Sequence, residues 1–134
     1  MPDILFRDAI KLGLKEALDN DPSVFIMGED IGAYGGAYAV TDGFLDQYGP
    51  ERIKDTPISE ATFIGAGIGA AIAGLRPVIE LMSISFSLVG FDQIVNMAAN
   101  IRYMSGGQVN VPMVLRAPTG AGVQLAATHS QSFE

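Results

Sequence analysis

The 134-residue sequence contains no cysteine and only one histidine, His129. Disulfides and thiolate metal sites are therefore excluded, and the lack of a disulfide framework favours a cytoplasmic protein. Basic residues are also scarce: 8 Lys and Arg stand against 15 Asp and Glu, which gives a formal net charge of −7. Such a chain is a poor ligand for nucleic acid or for an anionic membrane surface.

Long apolar runs are missing as well, although 49% of the residues are hydrophobic and only 17% are charged. Glycine, proline or charge interrupts every run well before the roughly 20 residues that a membrane span requires. The N-terminal residues lack the basic region and apolar core of a secretory signal. High apolar content without a span predicts surface that is buried against other protein, so we expect one domain over residues 1–134 that works as a subunit.

Short apolar runs alternate with helical patterns along the chain. The predicted strands are residues 24–27, 78–82 and 109–117, and a brief extended segment is expected at 53–57. The predicted helices are an amphipathic helix from residue 6 to Asp21, a short helix capped by Thr41, a small-residue helix at 61–73 and a long helix at 86–104. This alternation predicts a three-layer α/β/α fold with a mainly parallel sheet, in which ligands bind beyond the carboxyl ends of the strands.

The small-residue helix contains a dinucleotide-binding pattern at residues 65–70 (Gly-Ala-Gly-Ile-Gly-Ala), and Glu80 ends the next strand. That pattern normally follows directly on a buried strand. Here residues 57–64 intervene, and small residues continue to Gly74. We therefore favour a helix whose backbone packs closely against a neighbour, and keep a nucleotide-binding module as an alternative.

Glu60 stands at the predicted start of this helix, directly after Ser59 as the expected cap. The simplest interpretation is an acid favoured by the helix dipole. However, its neighbours in the sequence are largely apolar, and a carboxylate in such surroundings needs a partner. Glu60 is thus also a candidate for sharing a proton with a ligand.

Five short motifs follow one another in a single order and register. They are residues 56–60 (Thr-Pro-Ile-Ser-Glu), 74–77 (Gly-Leu-Arg-Pro), 91–96 (Phe-Asp-Gln-Ile-Val-Asn), 103–107 (Tyr-Met-Ser-Gly-Gly) and 129–131 (His-Ser-Gln). Together they resemble the beta subunit of the thiamine-diphosphate-dependent first component of 2-oxo acid dehydrogenase complexes, of the pyruvate or acetoin type. The resemblance implies the transketolase-like pyrimidine-binding domain, incomplete at its C-terminal end.

The resemblance also implies roles for individual residues. Glu60 matches the glutamate that hydrogen-bonds a ring nitrogen of the cofactor's aminopyrimidine and so activates the cofactor. Phe86 matches the aromatic residue that stacks on this ring, and Ile58 and Met82 are expected beside it. His129 matches a histidine that assists intermediates or acyl transfer to the lipoyl group. Glu29 matches an acid suited to a proton relay between paired sites.

The diphosphate end of the cofactor has no evident host in this sequence, because the Gly-Asp-Gly motif that holds its magnesium ion is absent. The family's alpha subunit is expected to supply that half, in a heterotetramer that serves a lipoyl acyltransferase core. The backbone oxygen of Met113 matches a ligand of a structural potassium ion.

We therefore expect oxidative decarboxylation of pyruvate, or cleavage of acetoin, with acyl transfer to lipoamide. The alternatives are another transketolase-class thiamine enzyme and the non-catalytic nucleotide-binding module. The chain by itself is expected to be inactive.

Overall fold

A sheet of four parallel strands forms the centre of the chain, with the strand order β2-β1-β3-β4. The computed structural model describes residues 3–120 and 124–133. The strands are β1 (Val24–Gly28), β2 (Ile53–Asp55), β3 (Arg76–Glu80) and β4 (Val114–Arg116). The helices are α1 (Phe6–Asn20), α2 (Phe44–Tyr48), α3 (Glu60–Ile72), α4 (Ile101–Met104), a 3₁₀ helix (Ile84–Leu88) and a π-helix (Gln93–Ala99).

Two hydrophobic clusters, one on each face of the sheet, confirm the three-layer architecture. On one face Ile26 of β1 packs with residues of α1 and α2, including Leu18 and Phe44. On the other face Phe25 and Met27 pack with residues of α3. Because side chains alternate along a strand, a strand covered on both faces is apolar throughout. All five residues of β1 are buried, as the continuous apolar run predicted.

The first helix contacts the sheet mainly through its C-terminal half. Leu18 is buried and Leu14 packs against the same cluster, whereas Phe6 is 83% exposed. The amphipathic helix is thus confirmed, but its apolar side chains are exposed at the N-terminal end. Within residues 3–120 and 124–133, every helix is too short or too polar to cross a membrane.

The long helix predicted at 86–104 is wrong, because the chain forms the 3₁₀ helix, the π-helix and α4 in succession. Gly90 lies between the first two, where an added Cβ would come within 2.4 Å of the Ile64 side chain and 3.4 Å of the Glu60 backbone. The chain thus lies close to α3 where the regular helix is interrupted. The strand predicted at 109–117 is reduced to β4, since Pro112 and Pro118 flank it and cannot donate to the ladder.

Of the two predicted helix caps, Thr41 is wrong, whereas Ser59 has the expected position without a capping side-chain bond. Thr41 donates its hydroxyl to the Ile31 carbonyl at 2.7 Å, and the residue that precedes α2 is Gly43 with φ 79°. Ser59 precedes α3 but donates its hydroxyl to the Pro57 carbonyl at 3.1 Å. Short hydroxyl side chains readily bond nearby backbone groups in loops, which competes with capping.

The glycine-rich pattern at 65–70 lies inside α3 and not in a turn between a strand and a helix, so its dinucleotide-binding interpretation is wrong. An added Cβ at Gly67 would lie 2.5 Å from Cδ1 of Ile79 in β3. One at Gly65 would lie 3.0 Å from Oε1 of Gln93. Close packing of the helix is therefore confirmed at these two glycines, while Gly69 faces open space.

Two substitutions in α3 separate this packing from helix propensity. Gly69→Ala should raise the free energy of unfolding by about 0.5–1 kcal/mol, because alanine is the better helix former and meets no neighbour. Gly67→Ala should lower it by about 1–3 kcal/mol, since the methyl group must displace buried Ile79. Urea unfolding followed by circular dichroism measures both. Equal shifts in the two variants would contradict the close packing.

Candidate functional site

A cavity of about 730 Å³ opens at the carboxyl ends of the strands. It contains every predicted catalytic and cofactor-binding residue. Its lining residues are Glu29, Ala37, Tyr38, Ile58, Glu60, Met82, Ser83, Phe86, Val89, Thr119, Leu125 and His129. Residues that are far apart in the sequence thus meet where a parallel sheet normally binds its ligands.

Each strand delivers its cavity residues through the segment that follows it. Glu29 comes directly after β1, and the Thr56 backbone N–H donates to the Gly28 carbonyl at 2.9 Å. This bond anchors the segment after β2, and Pro57 keeps it extended until α3 begins at Glu60. Glu60 therefore lies in the first helical turn, as predicted, where the helix dipole favours an acid.

The segment after β3 carries Met82 and then Phe86 into the cavity wall. The Ser83 hydroxyl accepts a hydrogen bond from the Ser85 backbone N–H at 3.3 Å, which starts the 3₁₀ helix. The Ile84 backbone N–H donates to the Pro118 carbonyl at 2.9 Å. That bond ties this segment to the one that follows β4 and leads towards His129.

Glu29 and Glu60 are two buried acids in one cavity, with 5% and 6% of their surface exposed. Among the described residues, Oε1 of Glu29 has no hydrogen-bond partner. Burial raises the pKa of Glu29, and the negative charges of Glu60 and Asp30 raise it further, while the Ser59 backbone N–H opposes the shift. Glu29 is therefore suited to hold a proton beside Glu60.

Phe86 and His129 form an aromatic corner of the cavity. Their ring centroids are 5.1 Å apart and the rings are nearly perpendicular, at 88°, which is a favourable edge-to-face arrangement. The Thr128 hydroxyl lies 2.8 Å from Nδ1 of His129, and the histidine itself is exposed. The ring thus has one nitrogen engaged locally and remains accessible from solvent.

Met113 is the one predicted site residue that the structure does not bring to the cavity. Its side chain packs in the cluster between the sheet and α3, and its Cε would lie 3.9 Å from a Cβ at Gly67. Its backbone N–H donates to the Val111 carbonyl at 2.9 Å. Within the described ranges, no group of three or more His, Cys, Asp or Glu side chains is placed to hold a metal ion.

Sequence reasoning missed several cavity residues, chiefly Tyr38, Val89, Thr119 and Leu125. Tyr38 lies on a loop that is held by the Asp55 carboxylate, which accepts from the Gly32 backbone N–H at 2.7 Å. The position of this loop after β1 was the available signal, because parallel strands direct such loops to the binding edge. Apolar loop residues such as Val89 and Leu125 carried no comparable signal.

The lining of the cavity defines what it can bind. It combines two carboxylates and an imidazole with apolar or aromatic walls, and no described lining residue is Lys or Arg. A flat, nitrogen-containing ring would find acceptors at the acids and a packing surface at Phe86. A diphosphate would find no cation. The described lining residues therefore fit the pyrimidine half of thiamine diphosphate and offer no cation for its anionic half.

Glu29→Gln tests the raised pKa of this buried acid. The folded chain holds the Glu29 proton more tightly than the unfolded chain does. The contribution of Glu29 to the free energy of unfolding is therefore greatest below the ordinary glutamate pKa of 4.5, and it falls as pH rises through the folded-state pKa. The glutamine variant lacks this loss. Its free energy of unfolding, relative to that of the original chain, should therefore increase between about pH 4 and pH 7. Urea titrations across this range measure the difference, with exposed Glu16→Gln as the control. A gain as large in the control would refute the assignment.

The comparisons with known proteins agree with this geometry. A family model described as the transketolase pyrimidine-binding domain matches residues 3–134. The chain is 51% identical over 131 residues to the mitochondrial pyruvate dehydrogenase E1 component subunit beta-1 of Arabidopsis thaliana, covering 98% of this chain and 36% of that protein. It is 50% identical over 134 residues to the E1 component subunit beta of Staurastrum punctulatum, covering 100% and 41%.

The corresponding subunit of Rickettsia felis is 49% identical over 130 residues, covering 97% of this chain and 40% of that protein. The chain thus spans well under half the length of these relatives. With its parallel sheet, its strand-end cavity and a family match over nearly all of its residues, the chain belongs to the transketolase pyrimidine-binding domain family.

Proposed function

We propose that this chain is the pyrimidine-binding part of the beta subunit of a pyruvate dehydrogenase decarboxylating component. The observation that carries the proposal is the position of Glu60, a buried acid at the first residue of α3, in an apolar cavity that it shares with Phe86. The names of the relatives support pyruvate as the substrate in preference to acetoin. They do not favour a cytoplasmic location, since one of them is mitochondrial.

Glu60 is proposed to hydrogen-bond a ring nitrogen of the aminopyrimidine and to hold the shared proton there. Phe86 would pack on the ring, and Ile58 and Met82 would lie beside it in the same cavity. When bound, thiamine diphosphate supplies the electron sink for loss of the substrate carboxylate. This chain contributes orientation and proton placement, which are the usual contributions of a protein to a cofactor reaction.

His129 and Glu29 are proposed to handle protons around this centre. His129 lies on the exposed side of the cavity, where its imidazole can donate to or accept from a substrate oxygen. Glu29 lies on the buried side next to Glu60, and its raised pKa suits it to a proton relay. The two groups thus serve opposite ends of the cavity.

The remaining half of the site is assigned to a partner. We propose an alpha subunit that binds the diphosphate and its magnesium ion in a heterotetramer, and a lipoyl acyltransferase core that receives the acyl group. The cavity lining without Lys or Arg supports this division. The potassium ligand at the Met113 backbone oxygen also stays a prediction, with no support from the cavity.

Glu60→Gln in the full-length subunit, assembled with its alpha partner, tests the proposed function. Exchange of the thiazolium proton of bound thiamine diphosphate should slow by about 10²–10⁴-fold, because the amide cannot share a proton with the ring nitrogen. Proton NMR of the cofactor after a deuterium pulse measures the rate. Glu16→Gln, on the exposed face of α1, serves as the matched control and should exchange normally. An unchanged rate in Glu60→Gln would remove Glu60 from the reaction.

A second test concerns the division of the site. The 134-residue chain alone should show no saturable binding of thiamine diphosphate at micromolar concentrations, because no described residue of the cavity lining is a cation that could neutralise the diphosphate. Isothermal titration with magnesium present measures this, and the assembly with the alpha subunit is the positive control. Micromolar affinity of the isolated chain would contradict a divided site.

A further inference from the structure

The ion pair between Glu80 and Arg116 lies just outside the cavity and has no part in the proposed chemistry. Nη1 of Arg116 contacts Oε2 of Glu80, and the side chains are 18% and 8% exposed. The two residues are register partners at the ends of β3 and β4. The other ion pairs of the described residues each have a side chain that is more than a third exposed. This pair is therefore the least exposed of the ion pairs among the described residues.

The position of the pair marks where two cavity segments leave the sheet. Met82 and Phe86 follow Glu80, while Thr119 and His129 follow Arg116. Beyond the pair, the Leu81 backbone N–H still donates to the Arg116 carbonyl at 2.9 Å. The Ile84 backbone N–H, which donates to the Pro118 carbonyl at 2.9 Å, continues this link, and the rings of Phe86 and His129 are in contact farther along.

A third cavity segment rests on the same carboxylate. A Cβ at Gly36 would lie 3.3 Å from Oε1 of Glu80, and Gly36 has φ +83°. The next residues, Ala37 and Tyr38, line the cavity. The Glu80 side chain thus lies close to the loop after β1, begins the segment after β3 and, through Arg116, contacts the start of the segment after β4.

Stability alone does not account for such a pair. Burial disfavours the charged form of Glu80 and raises its pKa, with Arg116 opposing the shift, and well-packed apolar residues often stabilise a protein as well as a buried ion pair does. Apolar contacts have no preferred direction, whereas a guanidinium and a carboxylate pair in a defined geometry. A directional side-chain contact at the last register pair of β3 and β4 fixes how the segments that follow the two strands are placed relative to each other.

We propose that Glu80 and Arg116 are a positioning pair, which sets the placement of His129 relative to Phe86 and so aligns the substrate side of the cavity with the cofactor side. The inference rests on the proposed function. Glu60 starts α3 and is not carried by either segment. Loss of the pair should therefore impair the steps that need His129 and leave the Glu60 step intact.

The test uses the full-length subunit in complex with its alpha partner. The double variant Glu80→Gln/Arg116→Met removes both charges and therefore leaves no unpaired charge in the interior. It replaces Arg116→Met if that single variant fails to fold. We expect turnover with pyruvate to fall about 10–100-fold, the loss typical of a small misplacement of a reacting group. Thiazolium proton exchange and the Kd for thiamine diphosphate should stay within about threefold, well below the loss expected for a misplaced group. Arg116→Lys, which keeps the charge, should recover part of the turnover.

Arg76→Met is the matched control, because Arg76 lies at the opposite end of β3 in a surface pair with Asp21 and lines none of the cavity. It should leave turnover unchanged. A crystal structure of each cofactor-free assembly supplies a readout independent of activity. The Phe86–His129 centroid distance of 5.1 Å should change in the double variant and persist in Arg76→Met.

Three results would overturn the positioning role: unchanged turnover in the double variant, exchange that falls as far as turnover, or an unchanged ring distance. Failure of the proposed function is recognised separately. In that case the unsubstituted assembly binds no thiamine diphosphate, and the cofactor-free structures still decide whether the pair sets the ring distance.

Discussion

The close approach of β1 to β3 at Gly28 is the constraint on which the cavity depends. An added Cβ at this glycine would lie 2.3 Å from the Glu80 carbonyl oxygen, and this atom belongs to the backbone of the neighbouring strand and cannot rotate away. Gly28 and Glu80 are also register partners, so this contact lies where both strands end. Glu29 follows on one side of this contact and Met82 on the other. Any larger residue at position 28 would separate the buried acid from the wall that faces it.

The electrostatics of the cavity follow from this geometry. Two acids are brought together at the sheet edge without a described cation among the lining residues, while the partly buried Arg116 is already paired with Glu80. The cavity therefore favours a ligand that can share a proton. It disfavours a ligand that carries full negative charge.

Strongly patterned parts of the fold could be predicted from the sequence. Each of three patterns is compatible with only one kind of environment: the apolar run of β1, the helical period of α1 and the small residues of α3. All three elements form where expected. The candidate site could be predicted because Glu60, Phe86 and His129 belong to recognisable motifs at strand ends, and the structure brings them into one cavity. Their chemical roles are carried by the resemblance and stay predictions.

The rest was decided by contacts between distant residues. The break of the long helix at Gly90 reflects its fit against α3, which no local preference reveals. The hydroxyl of Thr41 prefers the Ile31 carbonyl because the loop after β1 brings that oxygen close. The Glu80–Arg116 pair joins residues 36 positions apart, so neither residue stands out in its own segment.

The strand order has a consequence for how the polypeptide acquires its structure on the ribosome. β1 pairs with β2, which follows after a short interval, but its other edge pairs with β3, where Val24 meets Arg76. Proteins emerge N-terminal end first, and an unpaired strand edge is a template for association with other chains. During synthesis one edge of β1 therefore stays unpaired until about fifty further residues have been translated. Such a delay is typical of non-local parallel pairing. The nascent chain is most exposed to misassembly, and most in need of a chaperone, in that interval.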